Sequence, residues 1–215
     1  DDVAARYPAW LAAGIHVITP NKRAGAGPYE RYAAIASARR DGAARFRYEA
    51  TVGAGLPVVS TLRDLVDSGD TVLQLDCVLS GTLAWLFNRF DGSRPFSELV
   101  AEARALGYTE PDPREDLSGL DVARKLVILA REMGLAIELA DVAVESLVPE
   151  ALREGDVEAF VAGADAMDAP LAERLAQARA EGKVLRHVAR LDAEGRASVA
   201  VQALPGDHPF AHLRL

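Results

Sequence analysis

Between Tyr108 and Lys125 the sequence reads YTEPDPREDLSGLDVARK, which gathers Glu110, Asp112, Glu115, Asp116 and Asp121 beside Arg114, Arg124 and Lys125. A rigid turn that feeds carboxylates into a helix start carrying a lysine is how a polar site is built. Pro111 and Pro113 remove two backbone donors and push Glu110 and Asp112 towards extended geometry. The pattern predicts a helix from about Leu117 to Met133, with Asp116 as its cap and Ser118 close behind. On that helix Asp121 and Lys125 lie four residues apart and share a face. The plain alternative is a solvated helix pair worth about 0.3–0.5 kcal/mol. Against it, Val122, Leu126 and Leu129 make most faces of the helix apolar. A different chemistry open to the same stretch is a divalent ion held by Glu110, Asp112, Asp116 and Asp121.

The elements that must position these groups are read from periodicity and punctuation. Residues 3–13 predict a short helix ended by Gly14, and IHVIT predicts a strand followed by Pro20-Asn21-Lys22-Arg23. A helix at roughly 28–41 and a strand at ARFRYEATV follow. Helix, strand, helix, strand with short connections is α/β grammar and implies a parallel sheet. Lys22 then stands at the C-terminal end of a sheet strand, where ligands of α/β proteins bind. No GxGxxG turn precedes the opening units. They therefore read as the later part of a dinucleotide-binding domain, and the chain as a fragment.

Further along, GAGLP is a tight small-residue loop, which residue types alone explain by close packing. Helices are expected at 58–68, at LAWLFNRF behind Ser80-Gly81-Thr82, and at PFSELVAEARALG. TVLQLDCVL and ESLVP are expected strands, and 150–183 reads as helical with a break near Gly163. KVLRHVARL and RASVAVQAL close the chain as a hairpin. The fold class is thus α/β with α+β character further along, a Rossmann-type remainder at 1–52 leading into a mixed-sheet domain at 53–208.

Composition limits the function classes. With 215 residues, half of them hydrophobic and 26% charged, the chain can bury a substantial core. A net charge of −8 argues against a nucleic-acid footprint or an anionic membrane partner. No apolar run approaches a membrane span. The single cysteine, Cys77, excludes an intrachain disulfide, fits a cytoplasmic setting and reads as core. Trp10 and Trp85 read as packing residues. Pro209 between His208 and His212 disfavours a helical metal face, and no His/Cys cluster has zinc spacing. Ser80 lacks the G-x-S-x-G setting of a nucleophile.

The segments GIHVITPNK, YEATVGAGLPVVSTLRDLVDSGD, LSGTLAWLFN and LGYTEPDPREDLSGLDVARKLVILARE resemble homoserine dehydrogenase. GAGLP and LVPEALREGDVEAF are most similar to the dehydrogenase half of bifunctional aspartokinase–homoserine dehydrogenases. The resemblance implies interconversion of L-aspartate 4-semialdehyde and L-homoserine with NADP or NAD, within threonine and methionine biosynthesis. It assigns proton transfer to Lys125, with Asp121 holding the lysine or the substrate. Glu110 would meet the substrate ammonium, with Tyr108, Gly81, Thr82 and Asp116 beside it. Thr19, Pro20 and Lys22 would border the cofactor. Glu49 and the carbonyls of Val52, Ala54 and Leu56 would hold a monovalent cation, sodium. The resemblance also makes 53–208 the catalytic and dimerisation domain and 209–215 the start of a return to the nucleotide domain, and implies a homodimer or higher homo-oligomer. The alternative is a catalytically incomplete chain acting as a dimerisation module.

Overall fold

The computed structural model describes residues 2–213. In chain order its helices and strands are α1 (Asp2–Ala5), α2 (Tyr7–Ala12), β1 (Val17–Ile18), α3 (Arg23–Ala26), α4 (Tyr29–Asp41), β2 (Phe46–Arg47), α5 (Val58–Asp67) and β3 (Gln74–Cys77). There follow α6 (Gly81–Arg89), α7 (Phe96–Ala105), α8 (Pro113–Leu117), α9 (Leu120–Glu132), β4 (Val142–Val144), α10 (Val157–Ala162), α11 (Asp168–Ala180), β5 (Lys183–Asp192) and β6 (Ala197–Pro205). They form two compact units. One comprises Asp1–Leu75, Ala123–Ala143 and Arg190–Ala197, the other Asp76–Val122, Val144–Ala189 and Ser198–Leu215.

In the first unit β1 and β2 pair in parallel, with Val17 opposite Phe46 and Ile18 opposite Arg47. Alternation decides which side chains enter the core. Val17 and Thr19 point in with Phe46 and Tyr48, while Ile18 and Arg47 point out. The Phe46 and Tyr48 rings stack at 4.6 Å, and Tyr7 of α2 tilts against Phe46 at 5.9 Å. The expected strand ARFRYEATV is shorter than its β-branched and aromatic residues imply. After Arg47 the chain tightens into a 3₁₀ turn at Glu49–Thr51, locked by Thr51 Oγ1 donating to the Tyr48 carbonyl at 2.7 Å.

That turn aims Glu49 at the next helix. Its Oε1 accepts from Val59 N at 2.8 Å and its Oε2 from Ser60 N at 3.0 Å, so a remote carboxylate caps α5. Gly53 at φ +77 makes the loop possible, because a Cβ there would sit 2.6 Å from the Val58 side chain. The close-packing reason for a glycine is therefore real.

In the second unit α6 is capped by Ser80, whose Oγ accepts from Leu83 N at 3.1 Å. Its interior residues Leu83, Trp85, Leu86 and Phe87 are buried. Asp168 at the start of α11 accepts from both the backbone and the hydroxyl of Ser97, at 2.8 and 2.7 Å, fixing α7 against it. β3 to β6 make one sheet in the order β3-β5-β6-β4, and β5 and β6 form the expected hairpin. Arg186 of β5 donates to the carbonyls of Phe87, Phe210 and Ala211, so the segment after β6 is tied down by a buried guanidinium.

Several expectations need correction. The N-terminal helix is two short ones, α1 and α2. The helix expected from Leu117 begins at Leu120, and Asp116 does not cap it. Pro113 instead opens the separate helix α8 at its N-terminal position, with Asp112 as cap accepting from Arg114 N at 3.0 Å. TVLQLDCVL contracts to Gln74–Cys77, and ESLVP is not a strand. Leu147 N donates to the Leu117 carbonyl at 2.9 Å, which takes that segment away from the sheet, and the strand is Val142–Val144 just before it. Cys77 is half-buried, not core, and burial pushes its thiol up to about 11. Trp85 is buried as expected, whereas Trp10 is half-buried beside Tyr7.

Candidate functional site

The stretch 108–121 is bent into shape by three devices. Gly107, at φ +73, ends α7 and turns the chain back, with Tyr108 N donating to the Ala103 carbonyl at 2.9 Å. Asp112 accepts from Arg114 Nε at 3.0 Å and Nη2 at 2.7 Å, and these hydrogen bonds hold its carboxyl below the usual range. Arg114 also reaches the carbonyls of Leu152, Arg153 and Gly155 and lies over the Phe160 ring at 5.8 Å. It thereby clamps the start of α8 onto the 152–160 segment.

Gly119 is the third device. It sits at φ +72 between α8 and α9, and a Cβ there would come within 3.2 Å of Val144 and 3.4 Å of Val199. The same Cβ would lie 3.7 Å from Nε2 of His187, which is buried and has no hydrogen-bond partner. Burial pushes that imidazole down to about 4, so it is neutral at pH 7. A glycine is needed both for its conformation and for the close approach.

Asp116 joins the predicted residues. Its Oδ2 accepts from Glu110 N at 2.8 Å and its Oδ1 from Thr82 Oγ1 at 2.9 Å. Thr82 Oγ1 is also 2.7 Å from the Tyr108 carbonyl, so one hydroxyl proton is shared between two acceptors. Tyr108 rests edge-on against Trp85 at 5.6 Å and is half exposed. Gly81 is exposed, with open space where a side chain would be, at the first turn of the nine-residue helix α6. Tyr108, Glu110, Asp116, Gly81 and Thr82 therefore meet in one place. Asp116 positions the others, and the backbone N–H groups at the start of α6 suit an anionic group.

Asp121 and Lys125 follow on one continuous helix, four residues apart and both half-buried. The apolar surroundings expected of that helix are present, since Val122, Ala123 and Leu126 through Ala130 are all buried. The arrangement of Glu110, Asp112, Asp116 and Asp121 around a divalent ion is not formed. Asp112 is committed to Arg114 and Asp116 to Thr82 and the Glu110 amide. Among the described residues no group of three or more His, Cys, Asp or Glu could hold a metal ion.

The expected cofactor-side residues lie at the C-terminal end of β1. Thr19 is buried, its N–H bonding the Arg47 carbonyl at 2.9 Å, and its Oγ1 accepts from Asn21 N at 3.0 Å. Asn21 Oδ1 in turn accepts from Arg23 N at 2.8 Å, and the half-buried Lys22 immediately precedes α3. Pro20 is exposed between them. Of the cation set, Glu49 caps α5 and the Leu56 carbonyl accepts from Val58 N at 2.9 Å. Val52 is fully buried, and Ala54 has φ +53. Sequence reasoning passed over Arg114 and Gly119; the legible signals were an arginine two residues after the prolyl turn aspartate and a glycine inside a helical pattern.

The family model described as homoserine dehydrogenase matches residues 57–215. The chain belongs to the homoserine dehydrogenase family. It is 51% identical over 213 residues to the bifunctional aspartokinase/homoserine dehydrogenase 2, chloroplastic, of Zea mays, covering 98% of this chain and 23% of that protein. The putative homoserine dehydrogenase of Archaeoglobus fulgidus has a TM-score of 0.75 at 28% identity, covering 97% of this chain and 57% of the other. A hyperthermophilic archaeal homoserine dehydrogenase solved in complex with NADPH shares the fold, with a TM-score of 0.68 at 22% identity, covering 97% of this chain and 54% of the other. The chain thus spans about a quarter of the length of the bifunctional relative it matches. No described helix is long and apolar enough to cross a membrane.

The role of Asp116 is open to a simple check. Asp116→Ala removes the acceptor for both Thr82 and the Glu110 amide, two hydrogen bonds worth about 1.5–3 kcal/mol each when one partner is charged. The expected result is a lower unfolding free energy, by about 1 kcal/mol or more, and faster hydrogen exchange at the Glu110 amide. Unaltered unfolding and exchange would show that the 108–110 turn holds without it.

Proposed function

We propose that this chain is the substrate-handling region of an enzyme that interconverts L-homoserine and L-aspartate 4-semialdehyde, using NADP or NAD, in threonine and methionine biosynthesis. The observation that carries the reading is the ordering of Tyr108–Glu110 by Asp116 and Thr82, followed by a helix that carries Asp121 and Lys125 on one face. A bound nicotinamide supplies or accepts the hydride.

This chain's residues do the rest. In the oxidative direction the Lys125 amine takes the proton of the substrate hydroxyl as the C4–H bond breaks and its electron pair leaves as hydride. In reduction the Lys125 ammonium returns a proton to the developing alkoxide. Asp121 holds that ammonium or the substrate. Glu110 meets the substrate ammonium, and the amides at Gly81 and Thr82 meet its carboxylate. Thr19, Pro20 and Lys22 border the cofactor, where an ammonium suits a nucleotide oxygen.

The direct assay is homoserine-dependent reduction of NADP⁺ or NAD⁺ by the full-length protein, with Glu110→Gln beside it. The expected outcome is turnover in the wild type and a KM for homoserine raised about tenfold or more in the variant, kcat falling less. Turnover of other alcohols but not of homoserine would overturn the substrate assignment.

Oxygen ligands at Glu49, Val52, Ala54 and Leu56 suit a monovalent cation such as sodium, although Glu49 and Leu56 already accept backbone hydrogen bonds. If a cation adds to them, the melting temperature rises in sodium relative to an equal concentration of tetramethylammonium. Equal melting would leave the loop with its capping role alone. We also read the protein as a cytoplasmic homodimer or larger assembly. The edge position of β3 in its sheet supports pairing with a second copy. A monomer by sedimentation at micromolar concentration would sink that part.

A further inference from the structure

Within the first unit, α4, α5 and the C-terminal end of α9 enclose a cavity of about 340 Å³. Four arginines line it, Arg39, Arg40, Arg63 and Arg131, against two carboxylates, Asp67 and Glu132. Not all of these charges face an incoming ligand. Arg131 is saturated by backbone carbonyls and Glu138. Arg63 gives Nε to Glu132 at 2.9 Å and Nη2 to the Tyr48 hydroxyl at 3.1 Å, and neither bond uses Nη1. Arg39 and Arg40 stand on the α4 wall, the first half-buried and the second exposed.

These positive groups are close enough to disturb one another. The Arg63 guanidinium is held below its ordinary range by burial and then by Arg39. Guanidinium groups crowded in a half-buried site repel unless an anion lies between them. The buried carboxylate beside them compensates only in part. The Glu132 side chain is 4% exposed and accepts from Tyr48 as well as Arg63, yet burial pushes its carboxyl up to about 7, against the pull of Arg39. Four guanidinium groups thus line the cavity with two carboxylates, one of them drawn towards its neutral form by burial.

We propose that this cavity is a second ligand site, for a small divalent oxyanion of the phosphate-ester type, held by Arg39, Arg40 and the Nη1 edge of Arg63. Planar guanidinium forks match such oxygens in pairs. Tyr29 and Tyr32 line the remaining wall, leaving room for a small organic group on the anion. The site does not depend on the substrate reading. Glu132, faced by Tyr48, by Arg63 of α5 and by Arg39 and Tyr32 of α4, couples it to pH. As pH falls through about 7 Glu132 gains a proton, one negative charge leaves the cavity, and the anion binds more tightly.

Sulfate is the appropriate probe, because its charge is constant between pH 6 and 8. Calorimetric titration of the full-length protein, with ionic strength fixed by sodium chloride, is expected to show saturable binding. It should tighten several-fold from pH 8 to pH 6 and weaken at least about tenfold in the Arg39→Gln, Arg40→Gln double variant. Both positions lie on the helix surface, so an unchanged melting temperature verifies the fold of the variant. Sulfate binding equal in wild type and double variant, including binding confined to the nucleotide site, would overturn the proposal. So would heats that vanish in chloride of equal ionic strength. Binding that needs both arginines but ignores pH would remove Glu132 from it.

Discussion

Replacing Lys125 by alanine in the full-length protein is expected to lower kcat for homoserine oxidation by about 10²- to 10⁴-fold, the range for loss of a positioned acid–base group. Cofactor affinity and the melting temperature should change little. Lys125 is half-buried on a helix whose packing comes from its neighbours Ala123 and Leu126 through Ala130. Truncating it therefore leaves the core intact and, on the proposed reading, removes the proton carrier. Amine rescue separates this role from simple electrostatics. If Lys125 carries the proton, external amines restore part of the rate in the variant. A kcat within threefold of wild type, or loss of activity that tracks loss of cofactor binding, would take Lys125 out of the chemistry.

The largest effect on stability is expected at Arg131, on the same helix. Its side chain is fully buried. It donates Nη1 to the carbonyls of Gly25 and Gly27 at 2.7 and 2.8 Å, Nε and Nη2 to Ile137 at 3.2 and 2.9 Å, and Nη2 to Glu138 at 3.1 Å. The Tyr29 and Tyr32 rings lie 5.5 and 5.3 Å from the guanidinium carbon. One side chain thus gathers the end of α3, the start of α4 and the segment after α9. Glu138 adds a cap for α4 by accepting from Tyr29 N at 2.7 Å.

Arg131→Met keeps much of the volume but strands three carbonyls and half-frees Glu138. Breaking a buried charged network by removing one partner costs about 3–5 kcal/mol. Denaturant unfolding should register that loss, and Arg131→Lys should recover only part of it, because an ammonium cannot span carbonyls on both sides. A loss below about 1 kcal/mol in the methionine variant would mean that water replaces the guanidinium.

These two residues also mark what the sequence made legible. The i,i+4 relation of Asp121 and Lys125 needed only helical periodicity, and the apolar residues around it fixed which faces are buried. Arg131 was hidden for the same reason. In LVILARE it reads as the polar end of an apolar helix, and nothing local says that two of its partners are carbonyls more than a hundred residues away. The prolines of TEPDPRE were legible as a turn, but Gly119 decides where the turn stops and α9 starts. Its left-handed conformation and its contact with Val144 and Val199 depend on the sheet below. Hence Asp116 reads as a helix cap in the sequence and is a tether for Glu110 in the fold.

The short strands show the same limit from another side. Val142–Val144 is chosen over ESLVP because Leu147 bonds the Leu117 carbonyl, a tertiary contact that outweighs β propensity. Glu49 lies in a stretch with a strand-like composition, yet its use is to cap a helix that begins nine residues later. Where local pattern alone decides, as at Ser80-Gly81-Thr82 and the helix they open, the sequence suffices.

The measurement that bears most directly on the proposed reaction is isotopic. Full-length protein incubated with homoserine deuterated at C4, and with oxidised NADP or NAD, is expected to give aspartate 4-semialdehyde and a reduced nicotinamide carrying deuterium at its ring C4. The Lys125→Ala variant should make the same deuterated product more slowly. Reduced cofactor without deuterium, or no reduction while the cofactor still binds, would contradict direct hydride transfer from homoserine at this site.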